Sequence, residues 1–336
     1  MSKVTILGAG GWGCALSCVL FENGHQVTVW SPLSDEAKEL RLTRENQSKL
    51  PGVLLPTGIE ITDQLREAVL GRDFIVLATP SIYVRSTAKE VAPYLPKGQI
   101  LVSVVKGIED DTLLTMSEIV RQEIPQADVA VLSGPSLAAE VGRHVPTTVV
   151  VGASSQKIAD AVQDLFMNEV FRVYTSSDMK GIELGGALKN VIALAAGTAD
   201  GLGLGDNAKA ALMTRGIAEI TRLGVAAGGQ RETFAGLSGI GDLIVTCTSK
   251  QSRNHTAGEL IGKGATMEEA VTKVNRTVEG INSARAAKAL ALKYQVSMPI
   301  VDEVNRVLFE GKTAKEAMRD LLTRDRKDEF PGIEWK

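Results

Sequence analysis

Val4-Thr5-Ile6-Leu7-Gly8-Ala9-Gly10-Gly11-Trp12-Gly13-Cys14-Ala15-Leu16 is the stretch whose reading decides the fold. Its first four residues are β-branched or apolar and suit a buried strand, and Cys14 to Glu22 has the composition of a helix. Strand, glycine-rich turn and helix in that order make a dinucleotide-binding unit. Gly8 permits the tight turn, Gly10 lets the backbone approach a pyrophosphate, and Gly13 lets the helix pack closely on the strand. The helix N-terminus adds free N–H donors and a partial positive charge for the phosphates. Asn23-Gly24 ends the helix, and Gln26 to Trp30 supplies the second strand.

Outward from this unit, Phe74 to Thr79, Ile100 to Val105, Val129 to Ser133, Thr147 to Val151 and Phe171 to Tyr174 are further β-rich runs, separated by helical stretches. The alternation predicts an α/β domain of Rossmann type with a mostly parallel, doubly wound sheet. Ligands of such sheets bind beyond the carboxyl ends of the strands, where Thr79-Pro80-Ser81, Lys106-Gly107 and Gly134-Pro135-Ser136 stand. From about Asp178 the β-rich runs stop, and an alanine-rich sequence predicts an all-α C-terminal domain with breaks near Gly201 to Gly205, Gly228-Gly229 and Gly236 to Gly241. The expected division is 1–176 for the dinucleotide domain, 177–323 for a helical substrate and catalytic domain, and 324–336 for a charged, loosely held tail.

With 336 residues, 44% of them hydrophobic, the chain supports two cores, and a net charge of −3 gives no general attraction to nucleic acid or an anionic membrane. Glycines break the apolar stretch after Lys3, which reads as strand, turn and helix and not as an export signal. No apolar run reaches the roughly 18 residues of a spanning helix. Cys14, Cys18 and Cys247, without Cys-x-x-Cys spacing, point to buried reduced thiols in a cytoplasmic protein. His25, His144 and His255 lack metal-ligand spacing, so no metal is expected.

A second informative run is Glu183-Leu-Gly-Gly-Ala-Leu-Lys189-Asn190-Val-Ile-Ala-Leu-Ala-Ala196, a helix that reads as buried all round. Burial lowers a lysine's pKa unless an anion compensates, so Lys189 is either poised for proton transfer or held in a structural ion pair, with Glu183 as a nearby partner. Gly239-Ile-Gly241-Asp242-Leu243 and Ser252-Arg253-Asn254 mix a carboxylate with donors suited to a phosphate. Taken singly, the latter also reads as a solvated turn, and Thr277-Val278-Glu279-Gly280 as an ordinary helix start. Trp12 and Lys106 likewise suit plain packing and a solvated strand end.

In order, G-A-G-G-W-G, V-K-G-I-E, G-P-S-x-A-x-E, E-L-x-G-A-L-K-N, G-x-G-D-L, S-x-x-S-R-N and V-E-G resemble the bacterial-type NAD(P)-dependent glycerol-3-phosphate dehydrogenase family, over nearly the whole chain to about Leu322. The resemblance implies hydride transfer between NAD(P)H and dihydroxyacetone phosphate to give sn-glycerol 3-phosphate for glycerophospholipid synthesis. It makes Lys189 the catalytic lysine, with Lys106 and Asp242 beside it, and Lys106 touching both substrate and cofactor. Asp242, Ser252, Arg253 and Asn254, with Gly134 and Ser136 from the sheet side, match substrate contacts. Gly8, Gly10, Gly11, Trp12, Gly13, Ala138, Arg253, Val278 and Glu279 match positions at the dinucleotide. Self-association as a homodimer is a further implication.

Where NAD-specific folds place an acid after the second strand, this chain has Trp30-Ser31-Pro32, and the basic residue of many family members is missing too, which leaves NADH against NADPH open. Lys49 stands where relatives often have an aromatic, with Arg41 and Arg44 close in sequence, and one of these cations is expected to meet a 2′-phosphate and favour NADPH. Two other readings compete: a reductase of the β-hydroxyacid or ketopantoate type, and a non-catalytic nucleotide sensor in which Lys189 is structural. Asp242 together with Ser252-Arg253-Asn254 argues for a phosphorylated substrate and so for the first reading.

Overall fold

The computed structural model describes residues 1–326, 328 and 329, so most of the expected 324–336 tail lies outside the described residues. Eight strands form one sheet: β1 Lys3–Leu7, β2 Gln26–Trp30, β3 Glu60–Thr62, β4 Phe74–Leu77, β5 Ile100–Ser103, β6 Asp128–Ser133, β7 Thr147–Ala153 and β8 Phe171–Ser176. Their spatial order is β3-β2-β1-β4-β5-β6-β7-β8. All neighbours are parallel except β6 and β7, which pair antiparallel with Leu132 opposite Val151. The connection from Gly134 to Pro146 contains only the one-turn helix Ala138–Val141 and stays at the carboxyl end of the sheet, so β7 runs back. The expected runs ending at Thr79 and Val105 stop short, at Leu77 and Ser103.

Alternation places successive strand residues on opposite faces. Val4, Ile6 and Val76 join a core with the Gly11–Glu22 and Gln156–Phe166 helices, whereas Leu7, Ile75 and Leu77 join one with the Val84–Val91 and Met116–Glu123 helices. The chain moves outward from β1 through β2 to β3 and then crosses to β4 on the other side of β1, so the strand order reverses there. Ligands of doubly wound sheets bind at that reversal. Gly8 fills it: its φ is +121°, and a Cβ would lie 2.7 Å from the Ala78 carbonyl carbon. A Cβ on Gly13 would lie 2.0 Å from the Gly8 oxygen, which is the close packing its position predicts.

After β8 the described chain is helical. The Met179–Gly201 helix is buried almost throughout, and the helices Gly205–Ala226, Asp242–Thr248, Arg253–Gly262, Glu279–Tyr294 and Pro299–Phe309 pack around it. Its crossing with Arg253–Gly262 is made of glycines. Cβ atoms on Gly197 and Gly258 would lie 2.0 Å from the carbonyl oxygens of His255 and Leu194, and those on Gly201 and Gly262 would lie 2.3 Å from the oxygens of Glu259 and Thr198. The three cysteines are buried and free, and burial pushes Cys14 and Cys247 up to about 12 and Cys18 to about 11. No helix among the described residues is long and apolar enough to cross a membrane.

Helix propensity alone favours Gly258→Ala by about 1 kcal/mol, but the added methyl meets backbone that cannot rotate away. The variant is expected to be destabilised by about 1–3 kcal/mol, seen as a lower urea midpoint.

Candidate active site

Lys189 sits mid-helix with only 5% of its surface exposed. Gly186, three residues before it, makes room for neighbours from the sheet half: the Ser133 hydroxyl stands 2.9 Å from where a Gly186 Cβ would be, and Lys106 Cγ 3.4 Å away. Lys189 Nζ donates to Thr246 Oγ1 at 2.5 Å and lies 2.9 Å from Asp242 Oδ1. The other oxygen of that carboxylate takes Lys106 Nζ at 2.6 Å, and Lys106 also donates to the Gly134 carbonyl at 3.0 Å. One buried carboxylate thus bridges two ammonium groups. Burial holds Lys189 down to about 8, an effect that Asp242 opposes and Lys106 reinforces.

The suggested pairing of Lys189 with Glu183 is not made. Glu183 instead accepts the Ser117 backbone N–H at 2.8 Å and its hydroxyl at 2.5 Å, at the start of the Met116–Glu123 helix, and burial pushes its carboxyl up. Glu183 stands six positions before Lys189, which turns it to a different face of the same helix; Asp242 arrives from another helix, where it is the first residue of Asp242–Thr248.

Gly134 gathers a second group, since its carbonyl accepts from both Lys106 and Ser136 Oγ, the latter at 2.9 Å. Ser252 caps the Arg253–Gly262 helix by accepting the His255 N–H, which leaves its own O–H proton to donate. Asn254 Nδ2 donates to Asn190 Oδ1 at 3.0 Å, and Asn254 Oδ1 accepts the Gly280 N–H at 2.9 Å. One amide proton of Asn254 remains for a ligand. Arg253, the first helical residue, is exposed and within electrostatic reach of Glu279.

On the nucleotide side, Trp12 is half-buried against the sheet core, and the Ala138–Val141 helix packs on the Gly11–Glu22 helix. Neither residue is bonded to the lysine cluster; both belong to the surroundings of the glycine-rich turn. Val278 is buried, and Glu279 accepts from the Ser81 hydroxyl at 2.7 Å, joining the loop after β4 to the helical half. Burial pushes the Glu279 carboxyl up. Arg276 bonds the Ser48 carbonyl across the same divide.

The turn fits a dinucleotide. A Cβ on Gly10 would meet nothing within 4 Å, so this glycine faces open space while Gly8 and Gly13 are packed. Thr79 Oγ1 and Ser133 Oγ, at the ends of β4 and β6, are buried without a partner among the described residues, at the strand ends where such sheets bind ligands. Sequence reasoning missed Thr246, Asn190 and Ser117 as partners. Thr246 had a signal, one helical turn beyond Asp242; Ser117 had none.

Comparison with known proteins agrees along the chain. A family profile described as NAD-dependent glycerol-3-phosphate dehydrogenase N-terminus matches residues 3–159, and the corresponding C-terminus profile matches 178–319. The chain is 61% identical over 336 residues to glycerol-3-phosphate dehydrogenase [NAD(P)+] of Agathobacter rectalis, covering 100% of both chains. It is 49% identical to that of Bacillus subtilis, covering 99% of this chain and 97% of the relative. The crystal structure of glycerol-3-phosphate dehydrogenase from Coxiella burnetii matches with a TM-score of 0.93 at 36% identity, covering 96% of this chain and 99% of that one.

Asp242→Asn leaves two ammonium groups facing a neutral amide. The variant is expected to lose about 3–5 kcal/mol at pH 7, measured by urea unfolding. The loss shrinks as pH rises through about 8, where Lys189 sheds its proton and the missing charge matters less.

Proposed function

The chain belongs to the NAD-dependent glycerol-3-phosphate dehydrogenase family, and on that premise we propose that Lys189 gives and takes the proton of its reaction while Asp242 and Lys106 set its charge. The enzyme is an NAD(P)-dependent oxidoreductase that interconverts dihydroxyacetone phosphate and sn-glycerol 3-phosphate, a precursor of glycerophospholipids. The residue assignment rests on one observation: an almost fully buried lysine 2.9 Å from a buried carboxylate, with its pKa brought down to about 8.

A bound nicotinamide supplies or accepts the hydride at the substrate's central carbon. As the carbonyl is reduced, negative charge grows on its oxygen, and a dehydrated ammonium stabilises that charge more strongly than one in water. Lys189 then donates its proton, and in the reverse direction the neutral amine removes it. An ordinary lysine, at 10.5, is almost wholly protonated at neutral pH and a poor base, whereas one near 8 populates both forms. Asp242 keeps Nζ oriented, and Lys106 keeps it from becoming too basic. The Ser252 hydroxyl, the Arg253 guanidinium and the spare Asn254 amide proton hold the phosphate, and Gly134 and Ser136 border the substrate from the sheet side. Gly8, Gly10, Gly11, Trp12, Gly13, Ala138, Val278 and Glu279 cradle the dinucleotide.

In this reading residues 1–176 hold the dinucleotide and 177–323 the substrate. The enzyme works in the cytoplasm, which suits three unpaired thiols, and as a homodimer, for which the exposed Ala210 and Ala211 on the Gly205–Ala226 helix offer a surface.

Lys189→Ala is expected to lower kcat by about 100- to 10,000-fold while NADH affinity stays; a near-normal kcat removes Lys189 from its role. Arg253→Ala raises KM for dihydroxyacetone phosphate, with a loss of about 1.5–3 kcal/mol in kcat/KM. Because reduction needs the ammonium and oxidation the amine, reduction falls and oxidation rises as pH passes about 8. Lys106→Met, which removes the repelling charge, moves both limbs to higher pH.

A further inference from the structure

Beyond the carboxyl end of β2, where the adenosine ribose of a doubly wound fold lies, the side chain of Ser31 is not alone. Its hydroxyl donates to Glu36 Oε2 at 2.6 Å, and the other oxygen of Glu36 forms an ion pair with Lys49. Asn46 Nδ2 reaches Glu36 Oε1 at 3.4 Å and the Ala9 carbonyl of the glycine-rich turn at 2.8 Å. The backbone of the same loop touches the turn again, since a Cβ on Gly11 would lie 2.6 Å from the Lys49 carbonyl oxygen. The Glu36 side chain is 17% exposed and that of Lys49 41%. The other cations nearby are engaged with backbone: Arg44 with the carbonyls of Leu55, Pro56 and Ile59, and Arg41 with that of Ile61 at 3.3 Å.

We infer that Glu36 determines the cofactor preference: its carboxylate, carried to the end of β2 by the Ser34–Thr43 helix, accepts from the ribose hydroxyls of NADH and withholds Lys49 from a 2′-phosphate. The inference rests on the functional reading above. A 2′-hydroxyl donates to Glu36 as the Ser31 hydroxyl does. A 2′-phosphate draws Lys49 away, and the carboxylate it leaves then faces the phosphate's own charge, a repulsion that disfavours NADPH. Lys49, the cation whose position in the sequence suggests NADPH, is therefore already neutralised, and the acid missing from Trp30-Ser31-Pro32 returns five residues later.

Titration calorimetry of the purified full-length enzyme with NADH and with NADPH tests this, alongside kcat/KM for each with dihydroxyacetone phosphate. The wild type is expected to bind NADH about tenfold or more tighter than NADPH. Glu36→Gln retains a group that Ser31 can bond and frees Lys49, so NADPH binding tightens by about tenfold while NADH binding weakens slightly. Lys49→Met removes the cation that NADPH needs and weakens NADPH alone. A wild type that prefers NADPH, or an unchanged ratio of dissociation constants in Glu36→Gln, overturns the inference; should that variant not fold, unchanged NADPH binding in Lys49→Met does the same. Failure of the wild type to reduce dihydroxyacetone phosphate with either cofactor sinks the functional reading instead, and the binding ratio still decides the role of Glu36.

Discussion

Where Gly197 and Gly201 of one helix face Gly258 and Gly262 of another, carbonyl oxygens occupy the space that side chains would fill. The distance between two helices depends on what stands at their crossing, and here almost nothing does. The first helix carries Lys189, and the second begins with the turn of Ser252, Arg253 and Asn254. Contact of backbone with backbone cannot relax by changing a rotamer, so the separation of lysine and turn is set by covalent geometry. The Asn190–Asn254 bond and the Gly280 N–H on Asn254 secure the same junction from the polar side.

That rigidity lets a costly charge arrangement persist. Two ammonium groups and one carboxylate leave a net positive charge in a place with little water, and burying charge is unfavourable unless every partner is placed well. Asp242 meets this by giving one oxygen to each lysine, while its backbone carbonyl accepts from Thr246 at 2.6 Å. Lys106 is partly exposed, with 21% of its side chain in contact with solvent, and Lys189 hardly at all, at 6%. Lys189, the drier of the two, carries the readily lost proton.

The glycine-rich turn and the lysine helix were legible because each is a short run whose residues interact with one another. Gly8 and Gly13 meet within one turn, and an apolar helix around one lysine declares its burial in its own composition. β3 was not legible: Glu60-Ile61-Thr62 is three residues at a sheet edge, with one apolar side chain to mark it. The reversal of β7 follows from the path of a connection, not from the strand, whose Thr147–Ala153 composition suits either direction. The partners of Lys189 and of Glu183 were hidden for a related reason, because both come from other helices and no local period points to them. Glu36 shows the limit most clearly, since an acid can serve the end of a strand without standing there.

The two halves meet through contacts of unlike character. Glu183 is dry and bonds both the N–H and the hydroxyl of Ser117, and nearby Lys180 holds both oxygens of Glu118 at 2.7 Å. A carboxylate so desolvated is tolerable only while its donors stay, and removing them leaves a buried group unpaired. Ser81 with Glu279 and Arg276 with Ser48 are single bonds, and since Arg276 is exposed, water replaces the second of them at small cost. The crevice is accordingly fixed beside the root of the lysine helix and only tied beside the dinucleotide turn.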